Sequence, residues 1–574
     1  MKRRRQRRIL FDALVPVLLA SCSGLGLSPG EVSVDAEGRR VEHGMIELGR
    51  QLDDPYSVDN MTQALAAVYP TKADRVVVPT THLYVRFLPA DEAQYEELER
   101  SGIPLLDHPV DYEITREGDY YHDPEVPEGR ITWQYSVVPK GYSFPPGIRY
   151  EVLESCYIPP DGPSTKGDGV DWAAVEREAF RLSGNAALLD AAPATRGESS
   201  GKPAGCITLL DDAPGREPEG VRGVRVSCNS FVKFAYAYTD EEGYYQMDKS
   251  FASRPRYRLI FKNSKGFGIG LNLLLVPASV ATLGRQDAAG LDYEVSRSSD
   301  RRLFTRCVVN NAGYDYFSRC EAVDPALKVP PTNLRIWLFQ RLSLSSAVML
   351  QQGVLVEQSR LADFLGEYVS LLQMFLPDVT IGLKGSDSYA DIYAMAIHEF
   401  AHASHFMLAG RDYWNHYARY ILKSFVTSGF VTYGLGTEAD HGYCEVGEMW
   451  AYFVQTHFYR ERYGESAPGF GLSFWFHPQI LLLLEEHGLD YNRIFQVLGA
   501  DVTDREILQK KLISYYPAYK SDSNQAFARY NSTMRDAGGI AKSCRFFCRF
   551  SEKLYICSPF GRGWRNGRRA SFRS

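Results

Sequence analysis

Residues 398–402 read His398-Glu399-Phe400-Ala401-His402, and this run predicts a metal-binding helix in the C-terminal half of the chain. Side chains four residues apart lie above one another on one face of a helix, so both histidines can direct a ring nitrogen at one ion. Glu399 stands where it can take a proton from a water molecule held by that ion. The predicted cofactor is Zn2+, with His398 and His402 as ligands and Glu399 as the catalytic base.

The residues around this run are those of a well-formed, largely buried helix. Ser388 and Asp391 have the spacing of a capping box, which begins a helix, and Gly410 is a natural stop. Between them lie mostly apolar positions. Two imidazoles and a carboxylate are costly in such a helix unless something pairs with them, so this setting favours a metal site over two surface histidines.

A third protein ligand has to come from another part of the chain. In the metzincin pattern HExxHxxGxxH the last two defined positions are glycine and histidine, but this chain has His405 and Leu408 there. In the gluzincin pattern a glutamate on a second helix completes the site. Residues 443–454 are expected to form that helix, because Glu448-Met449-Trp450-Ala451 matches Glu-x-x-Ala.

Glu448 is therefore the expected third ligand, and Glu445, one turn earlier, is the alternative. Glu438 and His441 are weaker candidates. His405 lies about 10 Å along the helix axis from His398, which favours a core histidine or a substrate contact over a ligand. The choice of a transition-state donor stays open among His416, Tyr417, Tyr433, His441 and Tyr443.

The start of the chain predicts export. Residues 1–8 are strongly basic and residues 9–20 are apolar over the length of a signal peptide, too short to span a bilayer. Leu19-Ala20-Ser21-Cys22 matches a bacterial lipobox, in which the cysteine is acylated and becomes the N-terminus. We expect a lipoprotein signal peptide over 1–22, lipidation (palmitate) at Cys22, and a lipid-anchored protein in the outer membrane or at the cell surface. A plain signal peptide ending near Ser21 is the alternative.

Net charge argues against nucleic acid as a partner. The whole chain carries −6; taking away a leader of +5 and a C-terminal segment, 541–574, of +8 leaves −19 for the rest. A body that acidic repels phosphate backbones. The basic segment 541–574 is expected to be a disordered tail outside the fold. Of the ten cysteines, Cys307 with Cys320, or Cys206 with Cys228, could pair.

Two β-rich modules are expected ahead of the metal site, which makes the chain a multidomain α+β protein. Residues 23–75 are predicted to be a linker with a short helix. A mixed α/β module follows over 76–195, with strands at 81–88, 133–138 and 150–153 and a helix at 91–101. Strands at 206–210, 221–226 and 257–261, and a turn into a strand at 239–245, make a second module over 203–265. This module resembles the transthyretin-like, carboxypeptidase regulatory-type β-sandwich.

Taken together, the chain resembles the zinc-metallopeptidase lipoproteins of Bacteroidales over roughly residues 20–540, mainly in the 398–402 run and the Glu448 helix. The resemblance implies a mainly α-helical, zincin-like peptidase domain over 266–540. It also implies hydrolysis of peptide bonds in a protein or glycoprotein substrate by zinc-activated water. The alternative is a lipid-anchored binding protein, an adhesin or a glycan- or protein-capture component, with a catalytically inactive zincin scaffold. A zinc hydrolase acting on a non-peptide bond is a third possibility.

Overall fold

The computed structural model describes a mixed α+β chain with its sheets in the N-terminal region and a helical C-terminal region. The described residues are 32–34, 40–42, 45–71, 76–127, 129–160, 169–189, 201–271, 278–322, 327–340, 345–354, 376–427, 433–464 and 466–531. The predicted signal peptide with Cys22 and the tail over 541–574 lie outside these residues. Within the part of the chain that the structure describes, every helix is too short or too polar to span a bilayer.

The N-terminal region is built around a three-stranded antiparallel sheet. Its elements are β1 (Val32–Val34), β2 (Arg40–Glu42), β3 (Glu47–Gln51), α1 (Val58–Val68), β4 (His82–Leu88), α2 (Glu92–Arg100), β5 (Tyr112–Arg116), β6 (Gln134–Pro139), β7 (Arg149–Cys156) and α3 (Trp172–Leu182). Strand β4 lies between β6 and β7, β3 pairs with β5, and β1 with β2. The strands and the helix expected between residues 81 and 153 are confirmed. Asp91 caps α2, because its side chain accepts from the N–H of Gln94.

Two further sheets form the next region, here called the sandwich because buried side chains of both sheets share one hydrophobic core. Their strands are β8 (Ala204–Leu209), β9 (Glu219–Gly220), β10 (Arg225–Ser230), β11 (Lys233–Tyr238), β12 (Tyr244–Gln246), β13 (Arg256–Ile260), β15 (Val280–Arg285) and β16 (Tyr293–Val295); β14 (Gly268–Leu271) belongs elsewhere. One sheet has the antiparallel order β11-β10-β13-β15, and the other the order β12-β8-β16, with β9 on β8. A single strand over 221–226 is wrong, because a turn with Gly223 at φ 65° separates β9 from β10.

These two sheets continue past the expected module boundary at residue 265. Strand β15 pairs with β13, and β16 runs parallel to β8, although both lie in the segment assigned to the peptidase domain. Strand β14 leaves the sandwich and pairs in parallel with a strand of the C-terminal region. A division at residue 265 therefore cuts through both sheets of the sandwich.

The C-terminal region combines one mixed sheet with a set of helices. Its elements are α4 (Arg301–Glu321), β17 (Arg335–Gln340), β18 (Ser346–Ala347), β19 (Val379–Leu383), α5 (Tyr389–Thr427), α6 (His441–Tyr463), α7 (Gln479–Glu486), α8 (Tyr491–Gln496), α9 (Arg505–Tyr515) and α10 (Lys520–Asn531). The sheet order is β14-β17-β19-β18; β18 runs antiparallel to β19, and the other pairs are parallel. A single hydrophobic core runs from Ile207 in the sandwich to Phe527 in α10, so the two regions are packed as one body.

The N-terminal region is joined to the rest of the molecule by ion pairs to which it supplies the acidic residue. In each, the acid comes from the N-terminal side and the base from the sandwich or beyond: Glu176–Lys233 (3.0 Å), Glu99–Lys262 (2.8 Å), Asp119–Arg302 (2.9 Å) and Glu96–Arg335 (2.8 Å). Charge complementarity of this kind fixes how two surfaces dock.

The expected disulfides are absent from the described residues, where all six cysteines are free. Cys307 and Cys320 both lie on α4. Thirteen residues of helix rise about 20 Å, well beyond the roughly 7 Å limit between the Cα atoms of a disulfide. Cys206 and Cys228 lie on β8 and β10, which belong to different sheets. Neither suggested pair is bonded in this structure.

Candidate metal centre

Helix α5 carries the first three residues of the centre, and its start is fixed by the expected capping box. The Ser388 hydroxyl donates to the Asp391 carboxylate (2.7 Å), and the Asp391 N–H donates back to the Ser388 oxygen (3.2 Å). The helix breaks at Gly410, whose φ of 80° is strained for any residue with a side chain. The expected stop at Gly410 is therefore a kink between two helical segments.

Helix α6 supplies the fourth residue and packs directly on α5. The Trp450 indole N–H donates to the Ala401 carbonyl of α5 (3.3 Å), and Ala451 is fully buried. At the start of α6 a Cβ on Gly442 would lie 2.3 Å from the Thr503 carbonyl oxygen. A larger residue at 442 would therefore push the helix away from its neighbour.

Three side chains meet where the two helices cross. His398 Nε2 lies 3.1 Å from His402 Nε2, and each ring nitrogen lies 3.4 Å from an oxygen of Glu448. One ligand atom from each residue falls within 4.8 Å of the others, which makes this the one such group among the described residues that could hold a metal ion. All are deeply buried, with exposed fractions of 5% for His398 and 1% for both His402 and Glu448.

Gln455 fixes which nitrogen of His398 is free. Its side-chain oxygen lies 3.1 Å from His398 Nδ1, so Nδ1 carries the proton and donates it. The lone pair is then on Nε2, the nitrogen that faces His402 and Glu448. Metal-binding histidines characteristically donate their other N–H in this way. Gln455 was not anticipated from the sequence, although it lies seven residues, two helical turns, beyond Glu448 on the same face of α6.

Tyr417 holds the Glu448 carboxylate in place. Its hydroxyl donates a short hydrogen bond to Glu448 Oε1, and both side chains are buried. Burial raises the pKa of Glu448, but the neighbouring imidazoles lower it by more, to about 2. Burial lowers the pKa of His402. A pKa this low leaves the Glu448 carboxylate charged, which is the protonation state that a cation requires of it.

Glu445, the alternative third ligand, points elsewhere. Its carboxylate pairs with the Arg505 guanidinium (3.2 Å) and accepts the Arg505 backbone N–H (3.2 Å) at the start of α9. Glu438 and His441 are also outside the group, since His441 Nδ1 lies 2.9 Å from the Glu438 carbonyl oxygen. Of the acidic candidates, Glu448 is the one that the fold brings to the histidines.

Glu399 lies beside the group with an exposed fraction of 3%. Burial, and then the negative charge of Glu448, raise the pKa of Glu399 well above that of an ordinary glutamate. Its Oε2 has no hydrogen-bond partner among the described residues. A buried carboxylate oxygen without a hydrogen-bond partner costs free energy unless a cation or a proton compensates its charge.

The residues present fit a zinc ion. Two imidazole nitrogens and a carboxylate oxygen are typical zinc ligands, and atoms 2.0–2.1 Å from a common tetrahedral centre lie about 3.3 Å apart. The two ring nitrogens lie 3.1 Å apart, and each lies 3.4 Å from one of the two Glu448 oxygens, His398 from Oε2 and His402 from Oε1. Glu448 Oε2, like Glu399 Oε2, is buried and without a hydrogen-bond partner in the described part of the chain. A cation between these donors would compensate that unmet negative charge.

The other histidines and tyrosines named from the sequence occupy different places. His405 is a core residue, fully buried, with Nε2 3.2 Å from the Leu498 carbonyl oxygen; burial lowers its pKa to about 3. His416 stacks on Tyr443 and lies 3.2 Å from the Asp440 carboxylate. Tyr433 is nearer the group, because its hydroxyl lies 3.2 Å from that of Tyr452, whose ring packs against the His398 ring.

Tyr452 and Trp414 complete the surroundings of the two histidines. The ring centroids of Tyr452 and His398 lie 4.4 Å apart, and those of Trp414 and His402 lie 5.4 Å apart. Neither was singled out from the sequence. Tyr452 lies one turn after Glu448 on α6, so the helical spacing does contain the signal for it.

No family model, curated protein or solved structure matches this chain. The class of protein therefore has to be argued from the residues of the site and their geometry.

Proposed function

We propose that this protein is a zinc-dependent metallopeptidase, a hydrolase that uses His398, His402 and Glu448 as metal ligands and Glu399 as general base. The observation that carries the proposal is the buried meeting of the three ligand side chains within 4.8 Å. The chemistry of the neighbouring Glu399 supports hydrolysis over a purely structural metal site, which has no need of an unpaired buried carboxylate. A zincin-like peptidase fold for the C-terminal region belongs to the same proposal.

A zinc ion held by His398, His402 and Glu448 would supply Lewis acidity to a water molecule and to the scissile carbonyl. Glu399 accepts the proton of the attacking water, since its burial gives the carboxylate a high proton affinity. Glu399 then delivers that proton to the leaving amine. Gln455 keeps the lone pair of His398 on Nε2, and Tyr417 keeps the Glu448 carboxylate aimed at the histidines.

Tyr433 is the best placed of the expected transition-state donors. Its hydroxyl pairs with that of Tyr452, whose ring lies against His398. The Tyr417 hydroxyl is already committed to Glu448, and His416 to Asp440. We assign to Tyr433 the stabilisation of the negative charge that develops on the carbonyl oxygen.

The proposal extends to location and partners. The leader and the lipobox support an exported lipoprotein, anchored through Cys22 in the outer membrane or at the cell surface. There it would meet protein or glycoprotein substrates, and its acidic body disfavours nucleic acid.

The test is metal content and peptide hydrolysis of residues 23–540 as wild type and three variants. Wild type should hold about one zinc per chain, and Glu448→Ala should lose it. Glu445→Ala should keep the metal, because Glu445 pairs with Arg505. Glu399→Gln should keep the metal and lose turnover by about 10²–10⁴-fold.

Three outcomes would count against the proposal. A wild-type protein that fails to take up zinc would remove the metal site. A Glu399→Gln variant with the same metal content and unchanged activity would remove the assigned base. Zinc without any hydrolysis of peptides, amides or esters would favour the binding protein built on an inactive zincin scaffold.

A further inference from the structure

Four aromatic side chains form a continuous surface beside His398, here called the aromatic wall: Tyr433, Tyr452, Phe474 and Phe476. The Tyr452 ring lies 5.7 Å from the Phe474 ring and 5.6 Å from the Phe476 ring. Tyr433 lies 5.3 Å from Phe474 and 5.4 Å from Phe476. Through Tyr452, the wall reaches the ring of a proposed metal ligand at 4.4 Å.

The wall is held rigidly by close backbone approaches. Gly471 has φ 66°, and a Cβ there would meet Tyr452 Cγ at 2.7 Å, so the backbone of this loop lies against the tyrosine ring. Gly436, with φ 70°, lies in the same way against Trp475, whose indole N–H donates to the Tyr433 carbonyl (3.2 Å). Tyr433 itself has φ 65°, a conformation rare for a bulky residue and concentrated at functional sites.

Unlike a core cluster, the wall is partly open to solvent. Tyr433, Tyr452 and Phe474 are half-buried, whereas Phe476 behind them is fully buried. The neighbouring Leu435 and Leu472 have exposed fractions of 59% and 39%. Accessible apolar surface of this kind, beside a candidate catalytic centre, is characteristic of a binding site.

The other flank of the centre is closed. His402 packs against Trp414 and Tyr417, both buried, and the Tyr417 hydroxyl is bound to Glu448. The His402 side is therefore closed to a substrate, whereas the half-buried rings of the aromatic wall lie on the His398 side.

We propose that the aromatic wall selects the substrate, by binding a large apolar or aromatic side chain next to the scissile peptide bond. The inference rests on the proposed function and adds the substrate class to it. The four rings carry no charged group, so a charged side chain would lose its hydration there without gaining a partner. An aromatic side chain would gain ring contacts with Phe474 and Tyr452.

The test measures binding without depending on turnover. The zinc-loaded Glu399→Gln protein is titrated with phenylalanine hydroxamate and with alanine hydroxamate, which share the metal-binding group and differ in the side chain. We expect phenylalanine hydroxamate to bind at least about tenfold more tightly, as is usual for filling a hydrophobic pocket. Phe474→Ala, in the same background, should abolish most of this preference.

The matched control is Phe470→Ala, in the same loop, because the Phe470 ring lies against Tyr459 (5.5 Å) and outside the wall. It should keep the preference. Phe474→Leu retains most of the buried volume and should give an intermediate preference, which separates loss of the wall from misfolding. Equal affinities of the two hydroxamates for the zinc-loaded protein, or a preference that survives Phe474→Ala, would overturn the inference but not the metal site. Failure to bind zinc would instead overturn the proposed function, and the inference with it.

Discussion

Gln455→Leu should weaken zinc binding without touching a ligand. The substitution removes the oxygen that accepts the His398 Nδ1–H at 3.1 Å and leaves that N–H buried and unpaired. The free imidazole can then turn or exchange its tautomer, so part of the population has no lone pair on Nε2. Loss of such a supporting contact typically lowers metal affinity about 10–100-fold. That range corresponds to about 1.4–2.8 kcal/mol of binding free energy.

The assay is competition for zinc between the protein and a chromophoric chelator, for wild type and Gln455→Leu. Thr456→Val is the control, because Thr456 is the next residue on α6 and is also buried, but its hydroxyl donates to the Tyr452 carbonyl of the same helix (2.8 Å). The control should bind zinc like wild type. Wild-type affinity in Gln455→Leu would refute the argument that Gln455 sets the His398 tautomer.

Two further predictions concern ion pairs away from the centre. His457 lies 2.7 Å from the Glu485 carboxylate and 3.2 Å from that of Glu461. Burial alone would lower the pKa of His457, but these two carboxylates raise it to about 9. Because the folded pKa is above the unfolded value of about 6.5, this stabilisation is complete below pH 6.5 and is lost as pH rises through 9. The free energy of unfolding should therefore fall over that range, and His457→Gln should flatten the curve; parallel curves would contradict the assignment. Lys233→Met leaves the buried carboxylate of Glu176 without its cation and should cost about 3–5 kcal/mol in chemical denaturation, whereas Lys233→Met with Glu176→Leu should recover most of the loss.

The local features of the centre follow from the sequence because they depend on short-range rules. Helical spacing places His398 and His402 on one face, and the capping box at Ser388 begins the helix where expected. The choice between Glu448 and Glu445 could be narrowed by the Glu-x-x-Ala match. The structure separates them because Arg505, sixty residues further along the chain, holds Glu445.

Long-range contacts were out of reach of such rules. The role of Gln455 depends on how α5 crosses α6, and no local pattern fixes a crossing of two helices. The aromatic wall joins Tyr433, Tyr452 and the loop around Phe474, three separate stretches of the chain. The prediction of a strand over 221–226 is wrong for a local reason. Apolar and basic residues alternate there as in a strand, but Gly223 permits the turn that the structure has.

Strand β14 has a consequence for how the protein is made. The chain leaves the sandwich after β13, contributes β14 to the neighbouring sheet, and returns to the sandwich with β15. In a chain that folds from its N-terminus, β13 lacks its second partner until β15 at residues 280–285 is in place, and β14 lacks its partner until β17 at residues 335–340 is in place. A nascent chain that has reached only residue 265 exposes an unpaired strand edge, the feature most prone to aggregation. The sandwich and the neighbouring sheet that contains β14 are therefore expected to fold together. The sandwich is less a detachable module than the first half of a single folding unit.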